Sequence, residues 1–159
     1  MTTRTQLVAP VLAVALSGLA FGQDECSTAA VAVANAPTAF DTSAATTSVE
    51  PWPCALGGTD LWYTYTPTTT GGSVTVELCG SGYDTAIEAF SGTCGALTSI
   101  GCNDDSCGLQ SSLRFGPTAA GTPLYFRIGG YNGASGPGTY LLTETPPAWA
   151  RTNALARSP

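Results

Sequence analysis

The chain has 159 residues, of which only 10% are charged, and a formal net charge of −6 with no histidine and no lysine. This composition excludes imidazole acid–base chemistry, His-ligated zinc, Ser-His-Asp triads, lysine Schiff bases and Walker-type phosphate sites. An acidic surface also repels phosphate groups, which argues against nucleic acid and anionic membranes as partners. We expect one domain and a monomer.

Residues 1–22 have the pattern of a secretory signal peptide. Arg4 precedes an apolar run from Leu7 to Leu19, and the small residues Ala20 and Gly22 occupy the positions that signal peptidase reads. The alternative, a buried N-terminal helix, fits this pattern less well, and the run is too short to span a membrane. We therefore expect a protein secreted to the periplasm or the exterior, with its mature domain over residues 23–145.

Short alternating segments follow one another through the mature chain, and none has a sustained helical period. After an irregular lead-in, the predicted strands are Thr38–Asp41, Asp60–Pro67, Ser73–Cys79, Ala86–Ser91, Thr98–Cys102, Ser112–Gly116, Leu124–Ile128 and Thr139–Glu144. We expect the second and third of these to pair as antiparallel neighbours. The pattern predicts an all-β fold, an antiparallel β-sandwich or jelly roll of seven or eight strands stapled by disulfides. Residues 146–159 begin with two prolines and have no period, which predicts a disordered tail or linker.

The six cysteines all lie outside the predicted leader, and an even number in a secreted chain indicates disulfides. Cys94 and Cys102 flank the short segment GALTSIG, which we interpret as a reversal, and so we expect these two to pair. The remaining pairs are predicted as Cys26 with Cys54 and Cys79 with Cys107. A Cys-ligated metal is disfavoured because the chain has no C-x-x-C spacing.

Four oxygen-bearing side chains form the candidate metal site: Asp84, Asn103, Asp104 and Asp105. If the segments on either side form a hairpin, Asp84 at the entry of one arm and Asn103 to Asp105 at the exit of the other reach the same end of the sheet. Hard oxygens of this kind are the ligands that calcium takes, although it needs six to eight of them. The alternative is that these residues make Asx-turns at a strand end. A catalytic carboxylate pair is disfavoured because nothing in the sequence indicates a cleft.

Aromatic side chains form the candidate ligand-binding surface. Trp62, Tyr125, Tyr131 and Trp52 fall on the polar side of strands or in turns, where flat rings would stack on the sugars of a polysaccharide or contact an extracellular matrix polymer. The alternative is that a tryptophan on a central strand is buried under a loop. Tyr131-Asn132-Gly133 also fits a simple turn, since Asn and Gly tolerate left-handed conformations.

Two strings, YDTAIEAFSGTCGALTSIGCNDDSCGLQSSLRF and GTPLYFRIGGYNGASGPGTYLL, together with DLWYTYTP, resemble the bacterial pre-peptidase C-terminal domain family in its Cys-rich exported form. The resemblance covers most of the chain from Cys26 to Glu144. It implies a compact, non-catalytic β-sandwich, usually appended to secreted enzymes or surface proteins, with calcium or polymer binding in some members. No catalytic domain accompanies it in this sequence, and so we expect a stand-alone secreted module or a fragment of a longer protein.

The function expected from the sequence is therefore a non-catalytic secreted binding or stabilising module, with calcium as the candidate cofactor. The alternative is a carbohydrate- or matrix-binding adhesion module that uses the aromatic surface. A small hydrolase would require Asp84 or Glu88 to face another acid in a deep cavity.

Overall fold

The computed structural model describes residues 22–150, so the predicted signal peptide up to Phe21 and the tail from Arg151 lie outside the described residues. The described part contains nine strands and two short 3₁₀ turns, Cys26–Thr28 and Tyr131–Gly133. The strands are β1 (Ala30–Val31), β2 (Thr38–Asp41), β3 (Asp60–Tyr65), β4 (Ser73–Glu77), β5 (Thr85–Thr93), β6 (Ala96–Asn103), β7 (Ser112–Phe115), β8 (Leu124–Gly130) and β9 (Pro137–Thr145). All eight predicted strands are present, and β1 is an additional one.

The strands form a five-stranded sheet in the order β1-β3-β8-β5-β6 and a four-stranded sheet in the order β2-β9-β4-β7. Every pairing is antiparallel except that of β1 with β3. Just after β1, Ala34 bridges Leu142 of β9, so this segment contacts both sheets. The predicted all-β sandwich is confirmed.

The core lies between the two sheets and is built by the alternation seen in the sequence. Val74, Val76 and Leu78 are fully buried, as are Phe126 and Ile128 on β8. Burying such side chains is the main stabilising contribution in a domain of this size. Aromatic rings tie the two sheets together, because Tyr63 stacks on Phe126 at 5.3 Å and meets Tyr140 of the other sheet edge-on at 5.0 Å.

The predicted pairing of β3 with β4 is wrong, because the two strands lie in different sheets. β3 pairs with β1 and β8, whereas β4 pairs with β7 and β9. The connection between them crosses from one sheet to the other and is held by Glu144 of β9. The Glu144 carboxylate accepts hydrogen bonds from the backbone and hydroxyl groups of Thr68 and Thr69 and from the hydroxyl of Tyr65.

The hairpin predicted between residues 86 and 102 is present as β5 and β6, but its turn comes earlier in the chain than predicted. Thr93 pairs with Ala96, so the turn is Cys94-Gly95, with Gly95 in the left-handed region at φ 87°. The segment that the sequence analysis interpreted as the reversal is the returning strand β6. Because antiparallel strands continue away from their turn, Cys94 lies in the turn and Cys102 lies near the far end of β6.

Candidate functional site

The most elaborate polar site in the described chain surrounds Arg127, which is fully buried on the outer side of the five-stranded sheet. Alternation along β8 sends Phe126 and Ile128 into the core and Arg127 to the opposite face. Glu88 of β5 is its cross-strand neighbour, and its Oε2 accepts hydrogen bonds from Arg127 Nη2 at 2.7 Å and Nε at 3.2 Å. Asp60 Oδ2, at the start of β3, lies 3.5 Å from Arg127 Nη1. One guanidinium therefore joins the first and third of three adjacent strands.

The same guanidinium holds the loop between β2 and β3 against the sheet. Its Nη1 donates to the backbone carbonyl of Glu50 at 2.8 Å and to Ser48 Oγ at 3.2 Å, and its Nη2 donates to the carbonyl of Pro51. All of its nitrogens thus have partners, as a buried arginine requires.

Aromatic rings enclose the guanidinium. Its central carbon lies 4.6 Å from the ring centroid of Trp52 and 5.3 Å from those of Trp62 and Phe90. Trp62 and Phe90 in turn stack at 5.1 Å. Desolvation by these rings strengthens the cation–π attraction and makes any unpaired charge at this position costly.

The two carboxylates of this cluster are fixed by further hydrogen bonds. Asp60 accepts the backbone N–H of Ser48 at 2.9 Å and its hydroxyl at 2.7 Å, and Glu88 Oε1 accepts the hydroxyl of Ser99 at 2.7 Å. Burial raises the pKa of Asp60, and the hydrogen bonds from Ser48 and the charge of Arg127 oppose that rise. Glu88 does face a second acid, as a hydrolase would need, but the guanidinium fills the space between them. The arrangement can clamp a loop onto a sheet, and it offers a substrate no free carboxylate.

Disulfides also hold the N-terminal part of the chain against the five-stranded sheet. The structure pairs Cys26 with Cys94, Cys54 with Cys102 and Cys79 with Cys107. The Cys79–Cys107 pair is confirmed, whereas the Cys94–Cys102 and Cys26–Cys54 pairs are wrong. The physical reason is the position of the hairpin turn, which separates Cys94 from Cys102 along β6 and leaves each of them beside a segment from the N-terminal part of the chain. The first two bonds therefore tie that part of the chain to the β5–β6 hairpin.

The predicted acidic site is partly assembled. Asp84 immediately precedes β5, while Asp104 and Asp105 follow β6, so all three lie at one end of the sheet. Slight desolvation, with repulsion from Asp105 and Asp104, raises the pKa of Asp84. Asn103 has a turn role instead, because its Oδ1 accepts the backbone N–H of Ser112 at 3.0 Å. Within residues 22–150, no three acidic, cysteine or histidine side chains are grouped so as to hold a metal ion. The calcium site stays a prediction.

The four aromatic side chains predicted to form a ligand-binding surface do not all reach the surface. Trp62 is fully buried against Cys26 and Phe90, and Trp52, which lies on the loop between β2 and β3, is 6% exposed because it packs onto Ala86 of the sheet. Tyr125 and Tyr131 are half-buried. Tyr131 begins the predicted turn, in which Asn132 and Gly133 take left-handed conformations at φ 49° and 82°. Of the rings proposed for sugar contact, only those of the two tyrosines are accessible.

Arg127, Asp60 and Glu144 were not predicted from the sequence as organising residues, and Glu88 was considered only as a candidate acid. One feature of the sequence could have indicated the cluster around Arg127. Large or charged side chains occupy the non-core face of three predicted strands, with Trp62 on one, Glu88 on another and Arg127 on the third. Such a set is unusual for a face open to water, but linking its members requires the strand order, which local alternation does not supply.

No known protein-family model matches the chain, and no curated protein sequence is similar to it. No helix within residues 22–150 has the length and apolar character needed to cross a membrane. Among solved structures, the chain is similar to PliG of Aeromonas hydrophila, a periplasmic lysozyme inhibitor of g-type lysozyme, with a TM-score of 0.43 and 16% sequence identity. The aligned region covers 69% of this chain and 83% of PliG. This likeness is too distant to carry an argument about function, whereas the three disulfides place the folded chain in an oxidising compartment.

Proposed function

We propose that the protein is an exported, non-catalytic binding module of the pre-peptidase C-terminal type, and that it binds a polysaccharide or an extracellular matrix polymer. The observation that carries this proposal is the unequal covering of the two sheets. Arg127, Trp52 and two disulfides close the outer side of the five-stranded sheet. Among residues 22–150, no comparable loop or disulfide covers the outer side of the four-stranded sheet.

The open side presents small hydroxyl side chains in register. Thr75 of β4 lies between Thr143 of β9 and Arg114 of β7, and Glu77 lies between Leu141 and Ser112. Thr75 and Thr143 are half-buried by their neighbours, while Arg114 and Glu77 are exposed. A flat face of hydroxyl groups is suited to an extended polymer rather than to a small substrate that needs enclosure.

The ligand surface is tested by retention on insoluble polysaccharides and matrix polymers. Thr143→Trp places a bulky ring in the middle of the open face, and Val49→Trp is the matched control, since Val49 lies on the covering loop and is 82% exposed. We expect Thr143→Trp to abolish retention and Val49→Trp to leave it unchanged. Equal retention of both variants, or turnover of any of these polymers by the wild-type protein, would contradict the proposal.

Calcium binding near Asp84 is a separate part of the proposal, supported by the proximity of Asp84 to Asp104 and Asp105. A bound cation would relieve the repulsion between these carboxylates and would stabilise only the folded chain. The test is the thermal midpoint in millimolar calcium and in chelator, with Asp105→Asn as the variant and Asp41→Asn, an exposed acid on β2, as the control. A midpoint that calcium does not move would leave only the turn role of this segment.

A further inference from the structure

Arg114 is the only cation on the described surface of an acidic chain. All 11 acidic residues lie between Asp24 and Glu144, and the one other arginine in this range, Arg127, is buried against two of them. Arg114 is exposed, and within residues 22–150 it forms no ion pair. Its charge is therefore available to a ligand.

The Arg114 side chain is held in a defined position. It lies opposite Thr75 of β4, with Ser73 and Glu77 on either side of that residue. Its Nε donates to Ser73 Oγ at 2.9 Å, so the side chain points towards Ser73 and not towards the carboxylate of Glu77. No hydrogen bond within the described residues engages Nη1 or Nη2. These two nitrogens form the edge of a guanidinium that binds a carboxylate through two parallel hydrogen bonds.

An open hollow of about 390 Å³ lies beside this guanidinium. Ser73, Ile100, Phe115 and Pro117 line it together with Arg114 and two glycines. Ile100 is 40% exposed and is the extra residue of the β-bulge in β6, where Ser99 faces Phe90 and Gly101 faces Ala89. A cation therefore stands next to an accessible aliphatic side chain, and Arg114 and Ser73 are the only side chains in the lining with polar groups.

The hollow is bounded by the terminal strands of both sheets. Among the described residues, β6 pairs only with β5, and β7 pairs only with β4. The unpaired side of β6 therefore offers backbone N–H and C=O groups to an extended peptide, whereas on β7 the N–H and C=O of Ser112 already bond Asn103 Oδ1 and Ser106 Oγ. β6 contains no charged residue to discourage such pairing.

We propose that this hollow binds the C terminus of an extended peptide, with the terminal carboxylate on Arg114 and an apolar last side chain against Ile100. A uronic acid would also offer a carboxylate, but the lining has no exposed ring for a sugar to stack on, because Phe115 is 4% exposed. The net charge of −6 favours a peptide with basic residues before its C terminus. This inference rests on the proposed binding role, but the hollow is at the rim of the open sheet face and is tested independently of it.

The test is an NMR titration of the mature protein with an N-acetylated peptide of sequence KKTVF, either with a free C terminus or as the C-terminal amide. The variants are Arg114→Gln, which removes the charge from an exposed position, and Glu77→Gln as the matched control on the same sheet face. We expect the free acid to bind at least about tenfold more tightly than the amide, since bonds between two charged groups are the stronger ones. Arg114→Gln should remove that difference, and Glu77→Gln should keep it.

Three results would overturn the inference. The acid and the amide could bind equally, the Arg114→Gln protein could retain the preference for the acid, or an oligogalacturonate could bind more tightly than the peptide in a manner that depends on Arg114. The last result would identify the hollow as a sugar-acid site. Because Thr143 does not line the hollow, loss of polymer retention and loss of peptide binding are separate measurements.

Discussion

Replacing Arg127 by methionine removes the group that both buried carboxylates and two loop carbonyls share. Methionine keeps much of the side-chain volume against Trp52 and Trp62, so packing changes little. What changes is that Asp60 and Glu88 lose their counter-charge while remaining 0% and 4% exposed. The carbonyls of Glu50 and Pro51 lose their donors at the same time.

The expected cost is about 3–5 kcal/mol, the range found when one partner of a buried ion pair is removed. Domains of this size are stable by about 5–15 kcal/mol, so the variant should fold but with a much lower denaturation midpoint. The measurement is urea denaturation with the disulfides intact, followed by tryptophan fluorescence, because Trp52 and Trp62 contact the substituted position. Arg114→Met, on the surface, is the matched control; it loses one hydrogen bond, to Ser73, and should change the free energy of unfolding by about 1 kcal/mol or less.

The pH dependence of the free energy of unfolding is a second test of Arg127→Met. Burial already raises the pKa of Asp60, and removing Arg127 removes a charge that opposes the rise. A carboxyl whose pKa is higher in the folded state than in the unfolded state weakens folding at neutral pH, and it does so less as the pH falls. The deficit of Arg127→Met should therefore shrink towards pH 4. A deficit below about 1 kcal/mol at pH 7, or one independent of pH, would refute the account of this cluster as a charge-balanced clamp.

Three further predictions concern the connections between elements. Burial favours a raised pKa for Glu144, but hydrogen bonds from Thr69, Thr68 and Tyr65 outweigh it and lower that pKa to about 2. The stability that the Glu144 carboxylate contributes should therefore be present above about pH 5 and lost as the pH falls towards 2. Glu144→Gln should cost about 1–2 kcal/mol at pH 7 after allowance for solvent screening, and the acid limb of the stability–pH curve should flatten; an unchanged limb would contradict this. Replacing Cys54 and Cys102 together by serine should cost about 4 kcal/mol, since 48 residues separate them, and unreduced peptide mapping should recover this pair in the wild type. Gly129→Ala should cost at least about 2 kcal/mol in urea denaturation, because a Cβ there would clash with the Thr59 carbonyl oxygen and lie 2.9 Å from the Trp52 ring. Gly80→Ala, with nothing within 4 Å, should be neutral.

The alternation of apolar and polar residues was sufficient to predict the strands. Thr38–Asp41 has the predicted bounds, and Val74 and Phe126 face the core as expected. Alternation is a local property, however, and which strands become neighbours depends on connections that it does not describe. The pairing of β3 with β4 failed for that reason, because the intervening segment crosses to the other sheet and is held there by a glutamate far along the chain.

The buried aromatic and charged residues could not be placed from local patterns either. Alternation put Trp62 and Arg127 on the side away from the core. It left open whether Trp62 is exposed to a ligand or buried, and the structure shows that it is buried. Whether that side is covered depends on a distant loop with little regular structure, and on disulfides that follow from the topology. Cys94 illustrates this, because moving the predicted turn by a few residues changes its partner from Cys102 to Cys26.

The clamp also explains why this position requires arginine rather than lysine. A loop packed over a sheet buries some of its carbonyls, and each buried carbonyl needs a donor. Here one side chain donates to two loop carbonyls, one hydroxyl and the carboxylate of Glu88, while its charge balances Asp60. An ammonium has three donors and no flat face, so Arg127→Lys would leave at least one of these four acceptors without its donor and lose the stacking on Trp52. The covering of the five-stranded sheet therefore depends on the geometry of this single guanidinium as much as on its charge.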